Sequence, residues 1–129
     1  MSQPYTAVVT LIALLVYFLI IGAVARARSQ YGIKAPAVTG NENFERAYRV
    51  QMNTLEQMAL FLPALWLYAS YVSDRGAAVG GLIWVVGRVI YALAYTKDPA
   101  SRGPGAMVTL LASVGLWLGA VYGVVRALI

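Results

Sequence analysis

The sequence predicts an all-α integral membrane protein, a bundle of four transmembrane helices that forms a single domain over residues 1–129. Of the residues, 60% are hydrophobic and only 12% are charged, and the mean hydropathy is +0.69. A soluble domain of this length cannot bury that much apolar surface, whereas a membrane protein exposes it to lipid. Long apolar segments joined by short polar connections favour a helical bundle.

The residue types that are missing exclude several kinds of chemistry. The sequence contains no Cys and no His, which excludes a disulfide framework, a Cys/His metal site and a mechanism that uses a protein thiol or imidazole. We therefore expect no metal, and a reactive thiol has to arrive on a substrate. The net charge of +5 comes from basic residues in short connections, which favours lipid head groups or a small anionic ligand over nucleic acid.

The first helix is predicted over residues 5–25, a run without charge that is long enough to cross roughly 30 Å of hydrocarbon. A cleaved signal peptide is the alternative, since Ala23-Val24-Ala25 resembles a cleavage site. No basic residue precedes the run, however, and it is longer than the apolar core of a typical signal peptide. A polar connection follows, in which Asn41 or Asn43 is placed to cap the next helix.

The remaining three helices are predicted over residues 44–73, 77–95 and 104–125. Pro63 is expected to kink the second of them, and residues 74–76 are expected to form a tight turn. The third is interrupted only by Arg88. Pro104 suits the first turn of the fourth, because a helix needs no backbone N–H at that position.

Glycines recur every four residues in the fourth predicted helix, at Gly115, Gly119 and Gly123, and again at Gly76 and Gly80. Small residues at this spacing let membrane helices approach closely. The pattern fits packing within one chain and packing between subunits equally well.

The distribution of basic residues predicts the orientation. They concentrate in the first and third connections and at the start of the second helix, at Arg26, Arg28, Lys34, Arg46, Arg49, Lys97 and Arg102. Basic loops remain in the cytoplasm, so both termini are expected to lie outside.

Polar side chains form a stripe at the start of the second helix. Its members are spaced three, four and three residues apart: Arg46, Arg49, Asn53 and Glu56. That spacing places them on one face of a helix that continues as a membrane span. Charged groups near hydrocarbon normally face protein or a water-filled cavity and mark a function. The alternative is structural, with Arg46 on lipid phosphates and Glu56 paired to an arginine.

The third helix carries a second polar face, formed by Arg88, Tyr91 and Tyr95. An arginine at the depth of Arg88 needs a partner, and we predict a contact with Glu56. Tyrosines are common at membrane interfaces, so Tyr95 alone would be a membrane-belt residue. Because Tyr91 and Tyr95 share a helix face with Arg88, the pair is instead expected to form part of a binding site.

Arg102 precedes the start of the fourth helix. The positive end of a helix dipole and an adjacent arginine together favour an anion. Such surroundings also convert a thiol, with an ordinary pKa of about 8.5, to its thiolate. The alternative is a loop arginine that only sets topology.

These motifs resemble the MAPEG family, the membrane-associated proteins in eicosanoid and glutathione metabolism. The likeness is closest to its microsomal glutathione transferase and leukotriene-forming synthase branch. It is carried by F-E-R-A-Y-R-V-Q-M-N-T-L-E at residues 44–56, R-V-I-Y-A-L-A-Y at residues 88–95, and Arg102. One departure is Gln57, where the leukotriene-forming branch has a tyrosine that touches glutathione.

The resemblance implies a homotrimer that binds glutathione, as co-substrate, between neighbouring subunits near the cytosolic side. The positions that match glutathione-binding residues are Arg49, Gln51, Asn53, Glu56, Tyr91 and Tyr95, with Arg28 supplied by the adjacent subunit. Arg102 matches the catalytic arginine that stabilises the thiolate, while Arg88 is expected to be a buried structural charge.

The resemblance further implies a membrane-bound glutathione transferase or peroxidase that acts on lipophilic electrophiles or lipid hydroperoxides drawn from the bilayer. Two alternatives remain open. A non-catalytic lipid-binding relative, similar to the five-lipoxygenase-activating protein, would lack a working thiolate site. A small four-span drug exporter would carry a glutamate in its first helix, where this chain has no charge. The absence of eukaryotic retention signals favours a bacterial inner membrane.

Overall fold

The computed structural model describes residues 2–129 and consists of four long α-helices and one short 3₁₀ segment. The elements are α1 (Pro4–Tyr31), α2 (Glu42–Tyr71), α3 (Asp74–Lys97), the 3₁₀ segment (Pro99–Arg102) and α4 (Gly103–Leu128). The predicted all-helical, four-helix architecture is confirmed. The third connection, predicted as a polar loop, contains the 3₁₀ segment.

Three of the helices are long and apolar enough to cross a membrane: α1, α3, and α4 together with the 3₁₀ segment. Although we predicted four spans, α2 does not meet this criterion among the described residues. Its first half carries the charged stripe, and its continuous apolar part begins only at Met58. That part is shorter than the roughly 20 residues that a membrane span requires.

The first two helices are bounded by clear capping signals. The predicted end of α1 at residue 25 is too early, because the helix continues to Tyr31 and stops at Gly32, whose φ of 68° is left-handed. Asn41 is the N-cap of α2, and its side-chain oxygen accepts hydrogen bonds from the backbone N–H groups of Asn43 and Phe44. The helix therefore begins at Glu42, two residues before the predicted start.

The connection between α2 and α3 is shorter than predicted. Residues 74–76 are not a turn, because α3 begins at Asp74 and only Val72 and Ser73 separate the two helices. Ser73 caps α3 by accepting a hydrogen bond of 3.0 Å from the backbone N–H of Gly76. At the other ends, α3 extends to Lys97 and α4 to Leu128, beyond the predicted limits of residues 95 and 125.

A stacked aromatic pair joins the two central helices. Helices α2 and α3 each contact the other three helices. Between them, the rings of Phe61 and Trp84 lie 4.1 Å apart, almost parallel at 2°, and both side chains are fully buried. Leu65 and Leu116 extend this core toward α4. Aromatic contact at this distance adds to the stabilisation that apolar burial provides.

The closest approach of α3 and α4 occurs at Gly105. A Cβ atom at Gly105 would lie 2.5 Å from the backbone nitrogen of Tyr91 and 2.9 Å from the carbonyl oxygen of Gly87. No side chain can move aside to relieve this contact, because both neighbours are backbone atoms. Gly105 therefore sets the position of the first turn of α4 against the turn of α3 that carries Tyr91.

The glycine pattern identified in the sequence serves packing inside the chain at several positions. Gly80 faces Leu116, Gly119 faces the ring of Tyr68, and Gly123 faces the backbone of Tyr71. Gly115 differs, since a Cβ atom there would meet no atom of residues 2–129 within 4 Å.

An aspartate on α3 caps the amino terminus of α1. The Asp74 carboxylate accepts hydrogen bonds from the backbone N–H of Tyr5 at 3.2 Å, the backbone N–H of Thr6 at 2.9 Å and the Thr6 hydroxyl at 2.6 Å. The first N–H groups of a helix have no partner within it, so these bonds satisfy donors that would otherwise need water. They also fix α1 against α3 at the end of the bundle opposite the polar stripe.

Candidate functional site

A buried arginine lies at the junction of α2, α3 and α4. Arg88 is 1% exposed. Its guanidinium donates hydrogen bonds to Asn53 Oδ1 at 2.6 Å, Thr54 Oγ1 at 3.4 Å and Thr109 Oγ1 at 3.1 Å. The centre of the guanidinium also lies 4.3 Å from the centroid of the Tyr91 ring, within cation–π distance.

The predicted contact between Arg88 and Glu56 is wrong. Glu56 instead pairs with Arg49, with a nitrogen–oxygen distance of 3.5 Å, and the two side chains are 58% and 53% exposed. Glu56 lies at the outer edge of the stripe, whereas Asn53, one turn earlier, faces the interior. Among residues 2–129, no carboxylate forms an ion pair with Arg88.

The two tyrosines of α3 lie on the protein side of the helix. Their ring centroids are 5.6 Å apart. Tyr91 is 4% exposed, so it is not a lipid-facing interfacial residue. Tyr95 is half-buried and lines the cavity described next.

An open polar cavity of about 370 Å³ lies where α2 begins and α3 ends. Its walls are formed by Val38, Glu42, Glu45, Arg46, Tyr48, Arg49, Tyr95 and Pro99. Two of the predicted glutathione-binding residues, Arg49 and Tyr95, are therefore brought to one space from different helices. Two arginines, two glutamates and two tyrosines around one open cavity offer both donors and acceptors to a small polar ligand.

Arg46, in the wall of this cavity, has a structural role. It pairs with Glu42 at 2.6 Å and donates hydrogen bonds to the carbonyl oxygens of Lys97, at 3.1 Å, and Thr96, at 3.5 Å. The last carbonyl groups of a helix have no partner within it, so Arg46 stabilises the carboxyl terminus of α3. Arg46 thus links the start of α2 to the end of α3.

Arg102 sits beside the cavity rather than in its wall. It occupies the residue before α4, and its Nη1 donates a hydrogen bond of 2.8 Å to the carbonyl oxygen of Pro99, which lines the cavity. The side chain is exposed. A rotation about its flexible stem can therefore direct the guanidinium toward a ligand.

Arg28 and Gln51 are not brought to this cavity within one chain. Arg28 donates a hydrogen bond of 2.7 Å to the carbonyl oxygen of Ala37 and stacks 4.8 Å over the ring of Phe44. Gln51 is two residues from both Arg49 and Asn53, which places it about 200° around α2 from each. A single chain thus presents part of the predicted set, namely Arg49, Asn53, Glu56, Tyr91 and Tyr95, which we call the polar band.

Sequence reasoning missed the two threonines that hold Arg88. Thr54 and Thr109 are both buried, on faces of α2 and α4 that are mainly apolar. A hydroxyl on such a face needs a hydrogen-bond partner, and from that requirement the sequence could have indicated a buried polar contact at both threonines. The spacing within one helix could not identify the partner, because Arg88 comes from α3.

Comparison with known proteins identifies the family. A sequence model of the MAPEG family matches residues 6–122. The chain belongs to the MAPEG family. The match includes most of each of the four helices and every residue of the polar band, together with Arg28, Gln51 and Arg102.

Individual relatives of this MAPEG protein agree with that assignment. It is 43% identical to the uncharacterized protein sll1147 of Synechocystis, over 93% of this chain and 88% of the relative. It is 34% identical to microsomal glutathione S-transferase 2 of Homo sapiens, over 72% of this chain and 69% of the relative. It is 35% identical to leukotriene C4 synthase of Cavia porcellus, over 87% and 73% respectively.

Proposed function

We propose that this MAPEG protein is a membrane-bound, glutathione-dependent transferase or peroxidase that acts on lipophilic substrates. The supporting observation is the polar band. Arg49 and Tyr95 line one cavity, Tyr95 lies against Tyr91, and Asn53 is linked to Tyr91 through Arg88. The relatives named for glutathione transfer and leukotriene synthesis support the choice of thiol.

The roles of the residues follow from the chemistry of glutathione, a tripeptide with two carboxylates, an ammonium group and a thiol. Arg49 and the tyrosine hydroxyls supply donors for carboxylate or carbonyl oxygens, and Glu56 supplies an acceptor for the ammonium. Arg102 stabilises the thiolate once the thiol proton has passed to water.

Two reactions use that thiolate. In transfer, the sulfur attacks an electrophilic carbon, a carbon–sulfur bond forms, and the electron pair of the broken bond leaves with the leaving group or is protonated. In hydroperoxide reduction, two glutathione molecules are oxidised to the disulfide, while the hydroperoxide is reduced to an alcohol and water. The lipophilic substrate reaches the thiolate laterally from the bilayer, between the exposed apolar faces of the helices.

A shared site between subunits completes the proposal. The Arg49–Glu56 pair is more than half exposed in one chain, and hydrocarbon is a poor environment for it. A neighbouring copy that covers α2 and contributes Arg28 would supply polar surroundings, as expected of a homotrimer. We further propose that this end of the bundle faces the cytoplasm and that the termini lie outside.

The decisive test is ultraviolet difference absorbance of the purified protein in detergent, titrated with glutathione near neutral pH. We expect a thiolate band that appears with the wild-type protein and is absent in Arg102→Ala. Glutathione binding without the band in the wild-type protein would favour a lipid-binding role without catalysis. Absence of glutathione binding in the wild-type protein would refute the assignment of the thiol.

A further inference from the structure

The burial of Arg88 needs an explanation beyond packing. Among the residues that the structure describes, Arg88 has no carboxylate partner, and burial of such a guanidinium, 1% exposed, is costly. An apolar side chain of similar volume would fill the same space more favourably. What an apolar side chain cannot do is donate directional hydrogen bonds. Those bonds run from α3 to Asn53 on α2 and to Thr109 on α4.

The guanidinium is held in a fixed position by acceptors whose orientation is already determined. The Thr54 hydroxyl donates to the carbonyl oxygen of Val50 at 2.7 Å, and the Thr109 hydroxyl donates to that of Ala106 at 2.9 Å. Since each hydroxyl hydrogen is used in this way, each oxygen presents only lone pairs to Arg88. The cation is thus held from α2 and from α4.

This arrangement determines which end of the Asn53 amide faces the interior. Arginine carries only donors, so the amide atom 2.6 Å from Arg88 must be the oxygen, Oδ1. A flipped amide would oppose two donor groups. The amide nitrogen, Nδ2, is therefore directed away from Arg88, and it makes no hydrogen bond with any other residue that the structure describes.

We propose that Arg88 is a positioning residue that fixes the Asn53 amide so that Nδ2 donates a hydrogen bond to a carboxylate or carbonyl oxygen of glutathione. The inference rests on the proposed function. In this proposal Arg88 does not touch the ligand; it acts through Asn53. Its contact with the ring of Tyr91 links the same guanidinium to a second member of the polar band.

A double-mutant cycle on ligand affinity tests this inference. The dissociation constant of S-methylglutathione, which has no thiol to ionise, is measured by titration calorimetry for the wild type, Arg88→Gln, Asn53→Ala and the double variant. We expect each single variant to bind roughly tenfold more weakly, as for the loss of one hydrogen bond to a ligand. The double variant should bind as Asn53→Ala does, because Arg88 has no amide left to orient.

A matched variant separates positioning from general stability. Leu65→Ala removes a fully buried side chain from the apolar core of α2 and leaves Asn53 and the acceptors of Arg88 in place. We expect it to lower the midpoint of thermal unfolding while the affinity for S-methylglutathione stays within about twofold of the wild type. If Leu65→Ala weakened binding as much as Arg88→Gln does, general stability would explain the effect and the inference would be overturned.

Two further outcomes distinguish this inference from the proposed function. If wild type binds S-methylglutathione and Arg88→Gln binds equally well, or if the effects multiply in the double variant, only the positioning role is overturned. If wild type does not bind, both fail together. Should Arg88→Gln not fold, Arg88→Lys takes its place, because it keeps the charge with a different donor geometry. We expect Arg88→Lys to weaken binding in the wild-type background and to have no further effect on affinity in the Asn53→Ala background.

Discussion

Arg49 and Glu56 form an ion pair along α2, with a nitrogen–oxygen distance of 3.5 Å and more than half of each side chain exposed. On a soluble helix, such a pair contributes little, because water screens both charges. On a helix within a bundle whose other members are membrane-spanning candidates, the same pair requires a polar environment. That requirement makes this edge of α2 the place where a ligand and a neighbouring subunit are expected.

Replacing Arg49 should weaken glutathione binding. We expect Arg49→Ala to raise the dissociation constant of glutathione about ten- to a hundredfold, since a hydrogen bond to a charged group contributes about 1.5–3 kcal/mol. Titration calorimetry measures it. Arg126→Ala is the matched control, because Arg126 is also exposed but lies on the last turn of α4 and contacts Tyr122. Equal losses in both variants would mean that net charge, rather than Arg49, governs binding.

Removing Arg102 should change the pH dependence of conjugation. Its positive charge stabilises a thiolate, which lowers the pKa of the bound thiol, so Arg102→Ala should raise that pKa toward its ordinary value of about 8.5. The rate loss is then largest below that pH and shrinks above it, where the thiol ionises unaided. Rate–pH profiles of Arg102→Ala and Arg102→Lys with an excess of an electrophilic acceptor measure the shift. A loss that is uniform across pH would argue against thiolate stabilisation.

Mixing inactive variants tests whether sites are shared between subunits. In a trimer whose sites combine Arg28 of one chain with Arg102 of its neighbour, chains carrying Arg28→Ala and chains carrying Arg102→Ala complement each other. Every mixed trimer then has one working site in three, so complexes selected for both tags should have about a third of the wild-type activity. The activity of co-expressed, doubly tagged complexes measures this. If both residues serve the same chain's site, mixed complexes stay inactive.

A methyl group at Gly105 should disrupt the packing of α4 on α3. Because a Cβ atom there would lie 2.5 Å from a backbone nitrogen of α3, we expect Gly105→Ala to destabilise the protein by about 1–3 kcal/mol. In the matched control, Gly115→Ala, the added Cβ atom meets none of the described residues within 4 Å. The higher helix propensity of alanine should leave stability unchanged or slightly improved. The free energy of unfolding of both variants, measured in mixed micelles, gives the comparison. Similar destabilisation at the two positions would contradict the close helix contact.

Loss of the Asp74 carboxylate should weaken the attachment of α1 to α3, at the end of the bundle opposite the polar band, without changing glutathione binding. Asp74→Ala removes all three hydrogen bonds to the first turn of α1, whereas Asp74→Asn keeps an acceptor oxygen. We expect the midpoint of thermal unfolding to fall in the order wild type, Asp74→Asn, Asp74→Ala, with glutathione affinity retained throughout. A drop in affinity that parallels the loss of stability would show that the two ends of the bundle are coupled.

Much of the fold was predictable because it depends on local information. Composition and the length of apolar runs predicted four helices, and capping residues such as Asn41 located one boundary. Errors arose where the local signals were ambiguous. Asp74-Arg75-Gly76 has the composition of a turn, yet the Ser73 cap begins α3 there. Likewise, Arg26 ends the apolar run of α1 but does not end the helix, because no glycine lies between Arg26 and Gly32 to adopt the left-handed conformation of a C-cap.

The sequence by itself determined which side chains share a face of one helix, because the helical period is fixed, and it identified the polar band and the family resemblance. Only the tertiary structure decided which faces meet. Arg88 contacts Asn53, Thr54 and Thr109 rather than Glu56, because its partners depend on the rotation of α2 and α4 about their axes. That rotation is set by packing, including the approach of α4 to α3 at Gly105, which no spacing within a single helix encodes.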